Sequence, residues 1–106
     1  MGRVAFTGFA WDKANHAKCQ AHGVSSAEVE HVLAHAATLI TPDRKNSRVE
    51  PHFLAIGQTA KGRYTFVVFT PRQSGAELLL RPISARFMHR KEIRKYEQEI
   101  ARIQKR

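Results

Sequence analysis

Three consecutive segments of strand length, each rich in Phe, Val, Ile or Leu, constrain the fold more than any other feature of this sequence. They span residues 52–57, 63–70 and 76–83. Short turn-forming stretches around Gly62 and over residues 71–75 separate them. Because connections this short join antiparallel neighbours, we predict three consecutive antiparallel strands.

Proline and helical periodicity organise the rest of the chain. Pro82 has no N–H to donate to a ladder, so the last strand must end, bulge or face solvent there. Asp12 can cap a short first helix that stops at Gly23. A second helix is indicated by apolar residues at a spacing of three to four, namely Val29, Val32, Leu33 and Ala36. The predicted elements are helices over residues 12–20 and 26–37 and short strands over residues 4–9 and 38–41.

A third helix, predicted over residues 89–104, is both amphipathic and basic. We expect its apolar stripe to cover the sheet. The chain therefore predicts an α+β fold, in which a small antiparallel sheet is packed by two N-terminal helices and one C-terminal basic helix. A length of 106 residues suits one domain, residues 1–106. The stripe consists of Ile93, Tyr96, Ile100 and Ile103.

The charge of the chain points to a polyanionic partner. Eighteen Lys and Arg against nine Asp and Glu give a net charge of +9. Nine of the cations lie in the last 26 residues, where only three carboxylates accompany them. Cys19 is the only cysteine, which excludes an intrachain disulfide and a zinc site built on several thiolates. No run of about 18 apolar residues occurs, so we expect a cytoplasmic protein without a membrane span.

Several stretches of the sequence resemble the BrnT family. The most specific of them is Arg81-Pro82-Ile83-Ser84-Ala85-Arg86, with Glu92 and Tyr96 after it in the basic helix. The resemblance extends over roughly residues 9–97. It implies a RelE-like ribonuclease toxin of a type II toxin–antitoxin module. The other matching stretches are Trp11-Asp12, His22-Gly23-Val24-Ser25, and the strand residues 52–57 and 66–70.

The same resemblance implies partners and a biological outcome. The substrate would be RNA, and its cleavage would arrest translation and growth. A BrnA-like ribbon-helix-helix antitoxin would neutralise the toxin, and we expect a heterotetramer with an antitoxin dimer. We expect no cofactor.

Cleaving RNA without a metal requires a base near the 2′-hydroxyl, positive charge on the phosphate oxygens and an acid at the leaving oxygen. A guanidinium meets the second requirement, because it stays protonated and pairs with phosphate through two hydrogen bonds. We therefore assign Arg81 and Arg86, at the end of the last strand, to the phosphate. The alternatives are a solvated strand residue for Arg81 and an ordinary ion pair at the helix start for Arg86.

Proton transfer calls for a group that titrates near neutrality, and His52 and His89 are the candidates. Glu92, in the last helix, would orient Arg86 or His89, or would form a structural ion pair with a basic neighbour. His31 and His35 lie four residues apart, but no third ligand is apparent, so we predict no metal site. We read His22 as the cap of the first helix and Trp11 as a packing anchor.

Five further residues are candidates for contact with RNA. Lys61 and Arg63 lie at a hairpin and could reach the same sheet face, although cations are common in turns. Arg90 and Arg94 belong to the basic helix. Tyr96 would stack on a base, or would pack in the core with the isoleucines of its stripe.

A second class of function fits the composition equally well. A non-catalytic basic module, such as a degenerate toxin, would hold RNA or the ribosome without cutting it. A DNA-binding repressor is weaker, because no clear helix-turn-helix pattern is present. Only the family resemblance and the histidines near arginines favour an endoribonuclease.

Overall fold

The structure is an α+β fold built on one five-stranded sheet. It is a computed structural model that describes residues 5–46 and 49–104. The residues outside these ranges include Val4 of the first predicted strand, residues 47 and 48, and the terminal Lys105 and Arg106. The elements are β1 (Gly8–Phe9), α1 (Lys13–Gln20), α2 (Ser26–Ala34), β2 (Leu39–Pro42), a 3₁₀ turn (Arg44–Asn46), β3 (Phe53–Gln58), β4 (Tyr64–Ser74), β5 (Glu77–Phe87) and α3 (Arg90–Gln104).

The order of strands in the sheet is β1-β5-β4-β3-β2. All neighbours from β2 to β5 are antiparallel, as predicted. β1 instead pairs parallel to β5, with Gly8 opposite Leu79 and Phe9 opposite Leu80, so the sheet is mixed. Sequence patterns of hairpins could not reveal this pairing, because its two strands lie at opposite ends of the chain.

β4 and β5 are longer than predicted. Their pairing runs from Thr65 opposite Phe87 to Ser74 opposite Glu77, so the predicted turn over residues 71–75 shrinks to a tight turn in which Gly75 has a φ of 60°. The register shifts between Val68 and Phe69, and Ile83 is the extra residue of this bulge. The bulge lies beside Pro82, where the sequence required an irregularity.

The buried core lies between one face of the sheet and the helices. Ala55, Val67 and Ala85 follow one another across β3, β4 and β5. α2 ends at Ala34, three residues earlier than predicted, because the buried Thr38 hydroxyl turns back and donates to the Val32 carbonyl at 2.6 Å. The fully or nearly buried apolar residues are Cys19, Val24, Val29, Val32, Leu33, Ala55, Val67, Phe69, Leu80 and Ala85.

α1 packs along the edge of β5 that β1 leaves uncovered. The β5 carbonyls of Leu78 and Leu80 accept from backbone N–H groups before α1. The next carbonyl on this edge, that of Pro82, accepts from the side-chain amide of Asn15 at 2.8 Å. Asn15 also donates to Ala10 and completes a capping box with Asp12, and only 4% of it is exposed. One asparagine therefore fixes α1 beside the sheet.

α3 covers less of the sheet than its stripe predicts. Tyr96 packs edge to face against Tyr64 of β4, whereas 58% of Ile103 is exposed. A helix of 15 residues is about 22 Å long, and only part of its apolar stripe is covered. No helix in the described part of the chain is long and apolar enough to cross a membrane.

Replacing Asn15 by Ala should lower the free energy of unfolding by about 2 kcal/mol. The substitution removes three side-chain hydrogen bonds, one of them buried, and leaves the Pro82 carbonyl without its donor. Urea denaturation measures the change. Lys13→Ala, an exposed position on the same helix, is the matched control and should change stability little. Equal stability of the two variants would show that the edge contact does not hold α1.

Candidate functional site

The second face of the sheet carries the candidate site. Side chains alternate along each strand, so the neighbours of the core residues point to the other side. Two rows cross this side in register. All six residues are half-buried, in contrast to the core residues beside them. We call this set the open face; it consists of Leu54, Val68 and Ser84 in one row and Ile56, Phe66 and Arg86 in the next.

A groove runs over the open face. It consists of two adjoining cavities of about 500 and 260 Å³, which share Val68 and Ser84 as lining residues. His52 lines the larger cavity, and Arg86 lines the smaller one. The small side chain of Ser84 leaves the space between them open. The groove therefore has a guanidinium in one part and an imidazole in the other.

Arg86 is held firmly at its end of the groove. Its NH1 and NH2 atoms donate to the two carboxylate oxygens of Glu92 at 2.9 and 2.8 Å. The guanidinium carbon also lies 4.6 Å from the centre of the Phe66 ring. A guanidinium carries five N–H donors, so a bidentate pair on the NH1/NH2 edge leaves the Nε/NH2 edge for another anion. The geometry thus supports both an ion pair and a phosphate contact.

The ion pair shifts the pKa of both Glu92 and Arg86. Hydrogen bonds from Arg86 and from the backbone N–H of His89 lower the pKa of Glu92 to about 2. The same pair raises the pKa of Arg86. Both charges are therefore retained at neutral pH, and Glu92 joins the start of α3 to the end of β5.

His52 lies beside an acidic residue at the other end of the groove. Its Nε2 atom is 3.6 Å from Oε1 of Glu50, which is also 3.6 Å from NH2 of Arg72. Only 18% of the His52 side chain is exposed. An imidazole beside a carboxylate at the edge of a groove is suited to accept or deliver a proton.

Two site residues were missed by the sequence analysis. Lys18 lines the larger cavity and His22 the smaller one. They are four residues apart, Lys18 in the last turn of α1 and His22 in the turn that follows the helix. A spacing of four brings side chains to one side wherever the chain keeps a helical course. Together with the basic charge of the chain, this spacing was the available signal. The prediction that His22 caps the first helix is wrong, because α1 ends at Gln20 and its C-cap is Ala21.

Arg81 and His89 are not among the residues that line the groove. NH1 of Arg81 forms an ion pair with Asp12 at 2.8 Å. The hydrogen bond from the Asn15 backbone N–H, followed by this contact, lowers the pKa of Asp12. Arg81 thus ties the start of α1 to β5. The His89 side chain is exposed where α3 begins. The structure therefore brings together Arg86 and Glu92, with His52 further along the groove.

The predicted RNA-contacting residues surround another part of the sheet. Lys61 and Arg63 are exposed in the turn between β3 and β4. The Arg63 guanidinium lies 3.6 Å from the centre of the Phe87 ring, which is on the core side, so Arg63 does not share the face of Arg86. Arg90 and Arg94 are exposed on α3, and Tyr96 packs against Tyr64.

Residues 11–92 match the family model of the ribonuclease toxin BrnT of type II toxin–antitoxin systems. The chain belongs to the BrnT family. The match begins before α1 and ends at Glu92, so it includes the groove and the Arg86–Glu92 pair. No curated protein sequence matches the chain significantly.

Membership of the BrnT family confirms the interpretation drawn from the sequence stretches. A type II toxin acts together with an antitoxin, and a ribonuclease toxin has RNA as its substrate. In the described residues, no group of three or more His, Cys, Asp or Glu is arranged to hold a metal ion. Cys19 is buried in the core of this BrnT chain, and burial raises the pKa of its thiol to about 11.

The Arg86–Glu92 pair should make stability depend on pH in acid. The pKa of Glu92 in the folded chain, about 2, lies below the value of about 4.3 for an unperturbed Glu. The contribution of the pair is therefore present above pH 4.3 and is lost as the pH falls towards 2. We expect Glu92→Gln to be less stable than the wild type by up to about 1 kcal/mol at pH 7, since both side chains are partly exposed.

Urea denaturation between pH 7 and pH 2 checks this expectation, and the difference between the two proteins should close on acidification. Glu99→Gln is the control, because it removes an exposed ion pair on the same helix and should have a smaller effect. A stability difference that stays constant down to pH 2 would contradict the assignment to Glu92.

Proposed function

We propose that this BrnT chain is a metal-independent endoribonuclease that cleaves RNA bound in the groove and thereby arrests translation and growth. The observation that carries the proposal is the fixed guanidinium of Arg86 on the open face, with imidazoles lining the same groove. A guanidinium and titratable groups supply the charge and the proton transfers that cleavage by the 2′-hydroxyl needs.

The proposed reaction begins when an imidazole accepts the proton of the 2′-hydroxyl. The 2′-oxygen then forms a bond to the adjacent phosphorus, and the bond from phosphorus to the 5′-oxygen of the next nucleotide breaks. A protonated group gives its proton to that 5′-oxygen. The products are a 2′,3′-cyclic phosphate and a 5′-hydroxyl. Arg86 stabilises the charge on the phosphate oxygens through its Nε/NH2 edge.

His22 and His52 are the favoured proton-transfer groups, because they line the two parts of the groove. His89, predicted for the same role, is the alternative in case α3 approaches the substrate. Glu92 acts as a positioning residue that holds Arg86. We propose the corresponding role for Arg81, which holds α1 and thereby the Lys18 and His22 side chains beside the open face.

Purified protein incubated with labelled RNA in EDTA tests the function. We expect cleavage to persist in the chelator and to fall at least about 100-fold in Arg86→Ala, because one preorganised donor at a developing charge is worth that much. Arg86→Lys should also be impaired, since an ammonium cannot make two parallel bonds. Arg102→Ala is the matched control, and its cleavage rate should not change, because Arg102 pairs with Glu99 in the exposed part of α3.

The competing function gives a different result in the same assay. Full-length RNA that is retained by the protein, and released by salt, would identify a non-catalytic basic module. Cleavage that stops in EDTA would contradict metal independence. Equal cleavage by wild type and Arg86→Ala would remove Arg86 from the site.

We propose that the partner is a BrnA-like ribbon-helix-helix antitoxin, which would form a heterotetramer with this toxin in the cytoplasm. Expression of the chain alone should arrest growth, and co-expression of the adjacent small gene should restore it. Colony counts under both conditions, with Arg86→Ala as the inactive control, check this. Harmless expression of the wild-type chain at a verified protein level would contradict a toxin.

A further inference from the structure

A second cavity of about 650 Å³ lies between α2, the turn from β3 to β4, and α3. We call it the cleft. One side of the cleft is lined by Tyr64 and Tyr96, and another by His31 and His35 at the end of α2. The mechanism above uses none of these four rings. Tyr64 lies two residues before Phe66 in β4, on the side of the sheet that bears Arg86. Thr38 and Gly57, which face the core side, also line the cleft, so it lies at the end of the sheet, where the two sides meet.

The rings of the cleft are fixed in relation to one another. The Tyr64 and Tyr96 centroids are 5.6 Å apart at 66°, and the His31 and His35 centroids are 5.5 Å apart at 39°. The Tyr64 hydroxyl donates to Glu97 at 3.2 Å. Burial and the neighbouring Tyr64 raise the pKa of Tyr96, so its phenol remains a donor at neutral pH. Preformed aromatic surfaces with a few polar groups are what a nucleobase requires.

Cations rim the cleft from two elements. On α3, Arg90 and Arg94 stand on the same side as Glu97 and Ala101, which line the cleft, because the four positions follow the helical repeat. On the turn from β3 to β4, Lys61 and Arg63 alternate with Ala60 and Gly62, which also line it. Rim cations beside aromatic rings suit a single-stranded polyanion. They oppose a second copy of this chain, whose net charge is +9.

The spacing along β4 also suits RNA. Arg86 is paired with Phe66, and two residues of β4, which cover about 6.8 Å, separate Phe66 from Tyr64 at the cleft. One nucleotide of an extended strand spans such a distance. A phosphate on Arg86 would therefore bring a neighbouring base close to Tyr64, at the edge of the cleft.

We propose that the cleft is a base-binding subsite for a nucleotide of the RNA next to the phosphate held by Arg86, with Tyr96 as its stacking residue. The subsite rests on the proposed function, since it extends the same RNA path. The subsite also gives a common ligand to five residues that the sequence predicts to contact RNA and that do not line the groove. These residues are Lys61, Arg63, Arg90, Arg94 and Tyr96.

The test measures binding separately from cleavage, with 2′-O-methyl RNA oligonucleotides that cannot be cut. Fluorescence anisotropy gives the Kd for wild type, Tyr96→Ala, Tyr96→Phe and the control Ile103→Ala, which alters an exposed apolar residue of the same helix. We expect Tyr96→Ala to weaken binding at least about fivefold, the lower bound for loss of one stacked base. Tyr96→Phe and Ile103→Ala should stay within about twofold of wild type.

A second set of oligonucleotides carries one abasic sugar at successive positions and keeps the phosphate charge. Removing the base at one position should weaken wild-type binding as much as the Tyr96→Ala substitution weakens binding to intact RNA. Removing the same base should not weaken the binding of Tyr96→Ala any further. Thermal unfolding shows whether each variant is folded. If Tyr96→Ala is not, the surface variant His31→Ala/His35→Ala takes its place, with a loss of about threefold or more expected.

The possible results separate the two proposals. Wild type that binds and cuts RNA, with Tyr96→Ala or the double histidine variant unchanged in affinity, overturns the subsite only. Loss of antitoxin binding in Tyr96→Ala with unchanged RNA affinity identifies the cleft as a protein-docking surface and also overturns it. Wild type that does not bind RNA overturns the proposed function together with the subsite.

Discussion

The ion pair between Arg86 and Glu92 is the interaction on which the site depends. It joins the last central strand to the helix that follows, and it fixes the guanidinium over Phe66 at the same time. α3 also contacts the sheet through Tyr96 and Glu97, which both reach Tyr64. The position of one wall of the cleft therefore follows from the same pair that orients the groove.

A second constraint determines which side of the sheet is available. α1 does not lie across the open face. The Asn15 side-chain amide holds this helix at the outer edge of β5 by donating a hydrogen bond to the Pro82 carbonyl. From that edge Lys18 and His22 reach the groove while Cys19 stays in the core. If the first helix covered the sheet instead, Arg86 would be buried beneath it. The edge position leaves a substrate room to approach.

The local pattern of the sequence predicted most of the fold and part of the site. The hairpin strands, the capped helices and the irregularity beside Pro82 follow from propensities that act within a few residues, and all are present. The parallel pairing of β1 and the early end of α2 at Thr38 depend on contacts distant in sequence or on one buried hydroxyl. His22 enters the groove for the same kind of reason: its place is set by how α1 meets β5.

The pairing of Arg86 with Glu92 is compatible with the phosphate contact that we propose for Arg86. Without an ion-pair partner, the side chain of an arginine on a half-buried sheet face would not keep one orientation and would move with the ligand. Glu92 occupies only one edge of the guanidinium, so the remaining donors keep a fixed direction. Neutralising part of the charge weakens attraction to any anion, but the cations of Lys18, Lys45 and the α3 surface restore the long-range field. Affinity and orientation are thus supplied by different residues.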